Sequence, residues 1–310
     1  MDAAGAGSGG ARRRAGGVAA VLAVVVLGAA ACATGSAPTV PGAAALPTSS
    51  TPAPIPAATP APTTTAEPDA AGAPERALPV YYVVETSVGP RLQREFHRVA
   101  GTDDGSDAVR EMLASPTGQD PDHRSPWPAG TRLREPVAAG GGVITVDLTG
   151  LTPGAQVGTA GAEMAVQQLV HTVQGALGST DPVRVLLDGS PVDELFGAVD
   201  TSGPVPRGDP YATRSLVQID APAHGAVVGR TVEVTGEAAV FEATLLWDVS
   251  RDGAVVASGF TNTAEGQRFA PFAFTVELEP GEYVVRISED DPSGGEGRPV
   301  MTADKAITVR

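Results

Sequence analysis

The stretch AGAEMAVQQLVHTVQGALG, residues 160–178, gives the clearest indication of the fold. Its apolar residues recur at steps of three and four, and they are Ala162, Ala165, Val166, Leu169, Val170, Val173, Ala176 and Leu177. This spacing places them on one face of a helix, in a stripe broad enough to cover a sheet. We therefore predict a helix over 160–177 that packs on a sheet, with Gly178 ending it in a left-handed turn.

The segments around this helix supply strands and a second helix. Alternating or β-branched residues predict five strands, over 79–85, 92–99, 131–138, 143–149 and 182–189. A shorter helix is expected over 107–114, with Ser106 as its N-cap and Ser115–Pro116 as its stop. The resulting order, β-β-α-β-β-α-β, predicts an α+β sandwich domain over residues 79–199.

The C-terminal part of the chain reads as strands alone. After a linker over 200–216, seven short strands are predicted at 217–222, 230–238, 243–250, 254–260, 272–278, 282–288 and 305–310. Turn residues separate them, as in Asp252-Gly253, and no helical period interrupts them. This pattern predicts an all-β immunoglobulin-like sandwich over 217–310, in which Trp247 packs the core without a disulfide neighbour.

The N-terminal segment has the features of a secretory signal. Three arginines at 12–14 precede an apolar run over 18–31, which is shorter than the ~20 residues of an ordinary membrane span. Small residues then lead to Cys32, the one cysteine of the chain, and this arrangement resembles a bacterial lipobox. We predict a signal peptide over 1–31 and lipidation of Cys32. An ordinary cleaved signal with a chance cysteine and an uncleaved membrane anchor are the alternatives.

A spacer is expected between this anchor and the folded part. Residues 32–78 are rich in Pro, Thr and Ala, and they contain too few large apolar residues to repay the entropy of ordering. We predict a disordered linker that holds the folded domains off the outer face of the cytoplasmic membrane. The predicted location of the protein is therefore exported and lipid-anchored.

Composition restricts the chemistry of the chain. A net charge of −15 argues against a nucleic-acid partner, because phosphate binding needs a basic face. The four histidines, at 97, 123, 171 and 224, lie far apart in the sequence and show no metal-ligand spacing. We interpret His171 as a helix residue with no catalytic role. Asp120, Asp122 and His123 form a small cluster that could hold a cation. It has too few oxygen ligands for a calcium site, so we favour a polar loop without a bound ion. We assign no catalytic, cofactor-binding or metal-binding residue and expect no cofactor.

Residues 79–199 resemble the GerMN domain, which occurs in bacterial sporulation and spore-germination lipoproteins. The resemblance lies in VYYVVE (80–85), AVREMLASP (108–116), WPAGTRLR (127–134), VITVDLTG (143–150), AEMAVQQLVHTV (162–173) and VRVLLDGSPV (183–192). Residues 217–310 resemble the immunoglobulin-like module that accompanies this domain. That second resemblance lies in APAHGAVV (221–228), VEVTGEAAVFEATLLWDV (232–249) and FAPFAFTVEL (269–278).

The resemblance implies an envelope lipoprotein linked to the assembly of a complex between membranes. Our first hypothesis is therefore a non-catalytic adaptor that binds other envelope proteins, through an exposed sheet face or edge of the GerMN domain. The alternative is a protein that binds the cell wall or a polysaccharide, or an enzyme acting on peptidoglycan. Its weaknesses are an aromatic content of 4%, which disfavours sugar stacking, and the lack of paired acids at a recognisable spacing.

Overall fold

The structure is a computed structural model that describes residues 74–151, 157–291 and 293–310. The predicted signal peptide, the predicted lipidation site at Cys32 and the linker up to residue 73 lie outside the described residues. Among the described helices, none combines the length and the apolar character needed to cross a membrane.

The N-terminal domain follows the predicted alternation of strands and helices. Its elements are β1 (Glu75–Thr86), β2 (Gly89–Ala100), α1 (Asp104–Ala114), β3 (Arg132–Leu133), β4 (Ala138–Gly140), β5 (Val143–Thr149), α2 (Thr159–Leu177), β6 (Val183–Leu187), β7 (Ser190–Pro191), β8 (Glu194–Leu195) and β9 (Val199–Asp200). A four-residue helix, α3 (Pro210–Thr213), lies in the connection to the second domain.

The stripe on α2 forms the core of this domain. β5 and β6 are parallel neighbours, β3 and β4 pair with β5, β7 pairs with β6, and β1 and β2 form a separate two-stranded ribbon. The buried core joins β1, α1, β5, α2 and β6, through Val80, Val109, Ile144, Val146, Val166, Leu169, Val173 and Val185. Gly178 ends α2 at φ 59°, as predicted. The α+β fold class is confirmed.

Two local predictions in this domain were wrong. The N-cap of α1 is Asp103, whose carboxylate accepts a hydrogen bond from the backbone N–H of Ser106 at 3.1 Å. Ser106 lies inside the helix, and its hydroxyl accepts a bond from the N–H of Val137 at 2.8 Å. The predicted strand over 131–138 is divided into β3 and β4, because Pro136 has no N–H to contribute to a ladder.

The element boundaries also differ from the sequence reading at both ends of the domain. β1 begins at Glu75, four residues before the predicted start at Pro79, because β2 is long enough to pair with it up to Ala100. The connection over 200–216 contains α3, which Asp209 caps by accepting a bond from the N–H of Tyr211 at 3.0 Å.

The C-terminal domain is a sandwich of two sheets. Its strands are β10 (Val217–Ala221), β11 (Ala226–Val228), β12 (Thr231–Ala238), β13 (Thr244–Arg251), β14 (Ala254–Asn262), β15 (Ala270–Glu277), β16 (Gly281–Glu289) and β17 (Thr302–Val309). One sheet has the order β10-β12-β15 and the other the order β11-β17-β16-β13-β14. The immunoglobulin-like fold class is confirmed.

Seven of these strands were predicted, and β11 was missed. It has three residues and pairs in parallel with β17, so its sequence is too short to show an alternation. The predicted inward residues Leu245 and Val249 are fully buried. Trp247 is half-buried at the margin of the core, where it stacks on Phe274 with a centroid distance of 4.8 Å.

The two domains belong to one compact unit. The turn between β1 and β2 reaches the C-terminal domain, where Val88 packs against the sandwich core. The Ser87 hydroxyl donates to the carbonyl of Val300 at 2.9 Å. The backbone of Ser215, just before β10, donates to the carbonyl of Leu92 on β2 at 2.9 Å.

Candidate functional site

A network of charged and polar side chains, all buried except the half-buried His224, lies where the two domains meet. We call it the junction network, and it consists of Glu95, His97, Asp120, His123, His224 and Lys305. Glu95 on β2 is its centre, because its carboxylate accepts hydrogen bonds from the backbone N–H groups of Gln119 and Asp120 at 2.8 and 3.0 Å. The network thereby brings together three histidines that are distant in the sequence.

Asp120 connects the network to the C-terminal domain. Its Oδ2 lies 2.7 Å from Nζ of Lys305, and the two side chains are 7% and 3% exposed. His224 Nδ1, also from the C-terminal domain, lies 3.4 Å from the same oxygen. Lys305 is the one lysine of the chain, and it points to the same side of β17 as the buried Ala303 and Ile307. An ammonium group is thus held on the inward side of β17, between two buried core residues.

Two histidines contact the carboxylate of Glu95. His97 Nε2 lies 2.7 Å from Glu95, its Nδ1 lies 2.8 Å from Glu111, and His123 Nδ1 lies 2.7 Å from Glu95. Burial alone would raise the pKa of Glu95, but the close contact with His123 and hydrogen bonds from His97 and two backbone N–H groups outweigh it and lower that pKa. Burial would lower the pKa of His97, but its two carboxylate partners raise it. The network therefore favours a protonated His97 beside an ionised Glu95.

The cluster predicted at Asp120, Asp122 and His123 does not assemble around a free cation position. Burial opposes ionisation of Asp120, but the Lys305 ammonium outweighs it and lowers the pKa of the carboxyl group. Asp122 is exposed, and its N–H donates to Asp120 at 3.2 Å. In the described part of the chain, no group of three or more His, Cys, Asp or Glu side chains is placed to hold a metal ion.

A second set of ion pairs crosses the same junction. Arg94 on β2 donates two hydrogen bonds to Asp220, at 3.1 and 2.6 Å. Arg214, in the connection between the domains, pairs with Glu237 on β12, and its guanidinium lies 3.9 Å from the ring centroid of Phe269. Sequence reasoning missed these pairs, because partners so far apart along the chain leave no local signal.

His171 has no part in either set. It is fully buried on α2, and its ring is tilted against Tyr81 with a centroid distance of 5.1 Å. Burial is the main cause that lowers its pKa to about 3, and the positive charges of Arg207 and Arg214 add to it. His171 is therefore a neutral core residue.

Exposed apolar side chains concentrate in the C-terminal domain. Four of the eight large apolar residues that are exposed in the described chain belong to β13 and β14, and they are Leu246, Val255, Val256 and Phe260. We call these four residues the apolar strip. Phe260 is 70% exposed and Leu246 is 41% exposed. The N-terminal domain contributes Phe96 alone to the eight, so exposed apolar residues do not support the binding face that the sequence analysis expects there.

The register of β13 and β14 explains why these residues point outward. Leu246 pairs with Phe260, and both lie on the opposite face from the buried Leu245 and Val249. A register shift between Val249 and Ser250 leaves Val256 as the extra residue of a bulge. The strip therefore lies on the outer face of the five-stranded sheet, which the other sheet does not cover.

Sequence reasoning missed the apolar strip because its residues also support a strand. The run AVVASGF predicts a strand because it contains apolar and β-branched residues. These residue types do not show which side chains face the core and which face the solvent. The bulge at Val256 turns adjacent valines outward, against the simple alternation. Only the register with β13 shows that Phe260 is exposed.

Breaking the Asp120–Lys305 pair will destabilise the protein. We expect Lys305→Met to lower the free energy of unfolding by about 3–5 kcal/mol, because it leaves a buried carboxylate without its partner. Arg230→Met is the matched control: Arg230 lies 3.0 Å from Glu279, but the side chains are 57% and 75% exposed, so the loss should stay below about 1 kcal/mol. Urea unfolding of each variant measures this. If the two side chains are coupled, the double variant Asp120→Asn/Lys305→Met loses less unfolding free energy than the two single variants lose together. A loss equal to that sum would contradict the coupling.

The raised pKa of His97 predicts a dependence of stability on pH. Because its pKa is higher in the folded chain than its ordinary value of 6.5, protonation contributes stability that is fully present below that value. The contribution is lost as the pH rises through the folded pKa, by about 1.4 kcal/mol for each unit by which the pKa is raised. We expect His97→Gln to reduce the loss of unfolding free energy that the wild-type chain shows as the pH rises above about 6.5. If the variant keeps the wild-type slope, another group carries the dependence.

Two family models match the described domains. Residues 79–193 match the family described as "Sporulation and spore germination", and residues 216–296 match the "Immunoglobulin-like domain of bacterial spore germination". A search of curated proteins finds no match to the chain.

A search of solved structures finds partial similarities at low sequence identity. The tandem GerMN domains of the sporulation protein GerM from Bacillus subtilis are 20% identical, over 47% of this chain and 48% of that chain, with a TM-score of 0.34. A Jonesia denitrificans lytic polysaccharide monooxygenase is 16% identical over 29% of this chain and 60% of its own, with a TM-score of 0.22. This chain thus spans about half of the GerM structure.

The family matches agree in order and position with the two folds that the structure shows, an α+β domain followed by a two-sheet sandwich. The chain therefore contains a GerMN domain of the sporulation and spore germination family, joined to an immunoglobulin-like domain of bacterial spore germination.

Proposed function

We propose that this chain is a non-catalytic adaptor of the cell envelope that presents a protein-binding surface outside the cytoplasmic membrane. A lipid on Cys32 anchors it, and the linker over 32–78 gives the folded domains a reach on the order of 100 Å. The support for the anchor is the signal-like sequence that precedes Cys32. The support for an assembly role is that both domain families take their names from sporulation and spore germination.

The observation that carries the adaptor role is the apolar strip. Apolar side chains in water favour burial, and contiguous exposed patches are typical of interaction sites. Leu246 and Phe260 are cross-strand neighbours on one open sheet face, so a partner can cover both at once. Aromatic residues at the centre of a patch are common energetic anchors of interfaces. We therefore take the strip, and not the GerMN sheet, as the surface that meets another envelope protein.

A change of Leu246 tests this surface. We expect Leu246→Asp to reduce the amount of partner cross-linked to the full-length chain in living cells by at least about tenfold, because truncation of an interface anchor costs roughly 2 kcal/mol or more. The matched control is Val227→Asp, since Val227 is 55% exposed on β11 at the opposite edge of the same sheet. Partners are identified and quantified by mass spectrometry.

The same experiment separates the alternative function. Equal capture in wild type and Leu246→Asp would rule out the strip as the adaptor surface. Saturable retention of the chain on purified cell wall, unchanged by Leu246→Asp, would favour the wall-binding or peptidoglycan-acting alternative.

The anchor has its own test. We expect a fatty-acid analogue to label the wild-type chain and not Cys32→Ser, because the lipid is attached through the thiol of that one cysteine. The variant should also leave the membrane fraction, since membrane binding of the exported chain then has no hydrocarbon to hold it. Ser36→Ala, a change in the same segment that leaves the thiol in place, is the control and should keep both properties. Equal labelling of wild type and Cys32→Ser would overturn the lipidation.

A further inference from the structure

Three arginines lie close together at the junction, and we call them the arginine cluster: Arg94, Arg207 and Arg214. Arg94 is on β2, and the other two lie on either side of α3 in the connection between the domains. The guanidinium of Arg94 lies 3.8 Å from Glu237 Oε2, the same oxygen that Arg214 binds. Two guanidiniums thus share one carboxylate.

The fold of the connection brings Arg207 to the same place. Gly208 packs so tightly on Thr213 that a Cβ atom at Gly208 would lie 2.6 Å from Thr213 Cγ2. Arg207 precedes the first of these residues and Arg214 follows the second, so the two arginines are neighbours in space. Nε of Arg207 also donates to Gln174 Oε1 on α2 at 2.7 Å.

The arginine cluster has more cations than carboxylates. Arg94 holds Asp220 through two hydrogen bonds, and Glu237 contacts Arg94 and Arg214 together. Within the described ranges no carboxylate forms an ion pair with Arg207, whose partner is a neutral amide. Three positive charges therefore face two negative ones, in a chain whose net charge is −15.

The excess charge is poorly solvated, because Arg207 is half-buried. Burial is the largest cause that lowers the pKa of Arg207, and repulsion from Arg214 and Arg94 adds to it. Interactions with Tyr81 and Glu237 raise that pKa and offset only part of the change. A guanidinium keeps its charge at physiological pH even so. The repulsion within the cluster therefore remains until an anion from solution compensates it.

The cluster also has unused hydrogen-bond donors for such an anion. A guanidinium carries five N–H donors in a planar fork that matches carboxylate and phosphate groups. Arg207 uses its Nε, and its two terminal nitrogens have no hydrogen-bond partner in the part of the chain that the structure describes. Arg214 is 7% exposed, and its Nε is buried without a partner among the same residues. Two neighbouring guanidiniums therefore offer donors that an oxyanion can accept.

We propose that the arginine cluster binds a small oxyanion of the carboxylate or phosphate class, held between Arg207 and Arg214. The anion restores the balance of charge where the connection meets α2 and β2. The connection is already anchored there, since the N–H of Gly208 donates to Gln167 Oε1 at 2.8 Å and Asp209 caps α3. The site is separate from the apolar strip on β13 and β14, so the inference does not depend on the adaptor role.

Thermal unfolding of the full-length chain in detergent tests the site. Inorganic phosphate and acetate are added separately at constant ionic strength, with chloride as the reference. We expect at least one of them to raise the wild-type midpoint by about 2 °C or more beyond its effect on Arg207→Gln, because a ligand stabilises the state that binds it. The comparison with the variant removes the general stabilising effect of phosphate. Arg110→Gln is the matched control and should keep the wild-type response, because the Arg110 side chain is 52% exposed and pairs with Asp107.

The same experiment measures the sign of the charge effect. In chloride alone we expect Arg207→Gln to unfold at the wild-type midpoint or above it, because the variant removes the repulsion from Arg214 and Arg94. A lower midpoint there would show that Arg207 stabilises the fold through Gln174, and it would overturn the proposal. Equal anion responses of wild type and Arg207→Gln would overturn it as well.

A second variant, Arg207→Lys, separates charge from geometry. It keeps the positive charge and loses the fork, so we expect the Kd of the anion that binds wild type to rise at least about fivefold in isothermal titration calorimetry. A wild-type chain that binds neither phosphate nor acetate saturably, or a lysine variant that binds as tightly as wild type, overturns the proposal.

Discussion

The buried ion pair between Asp120 and Lys305 is the contact on which the two-domain arrangement depends. Moving a carboxylate and an ammonium out of water costs several kcal/mol for each ion, and the attraction between them offsets this only at close range. At 2.7 Å the pair meets that condition. A small displacement that separates the two charges while both stay buried leaves each without its partner, so the pair opposes such displacements at the junction. Apolar residues could fill the same volume, but they would not fix which loop meets which strand.

Successive side chains of β2 point to opposite faces of the strand, and both faces take part in the junction. Glu95 and His97 point to one side, into the junction network, while Arg94 between Gln93 and Glu95 points to the other and binds Asp220. One strand therefore presents the Glu95–His97 pair on one side and the guanidinium of Arg94 to the C-terminal domain on the other. A shift of one residue in the register of β2 with β1 would move each of these side chains to the opposite face of the strand. The docking of the two domains therefore depends on the register of this ribbon.

The sequence predicts most of the fold because local patterns determine it. The stripe on α2 and the alternation in β5 depend on neighbours within a few residues, and both elements were predicted within one residue of their observed bounds. The junction network could not be predicted in the same way, since His97, His123 and His224 meet only after the domains pack. Lys305 is the partial exception. A lone lysine at an inward position of a core strand already indicates a buried partner, although the sequence does not say which acid it meets.

The inner side of β14 explains how an exposed edge remains ordered without a neighbour on its free side. Gly259 lies against the indole of Trp247, and a Cβ atom there would come within 2.6 Å of Trp247 Cζ2. Trp247 in turn stacks on Phe274 of the facing sheet. The strand is thus supported from the core side by an aromatic stack, while its outer side carries Phe260. A residue larger than glycine at position 259 would displace the Trp247 indole from this stack, so the support of the edge strand depends on that glycine.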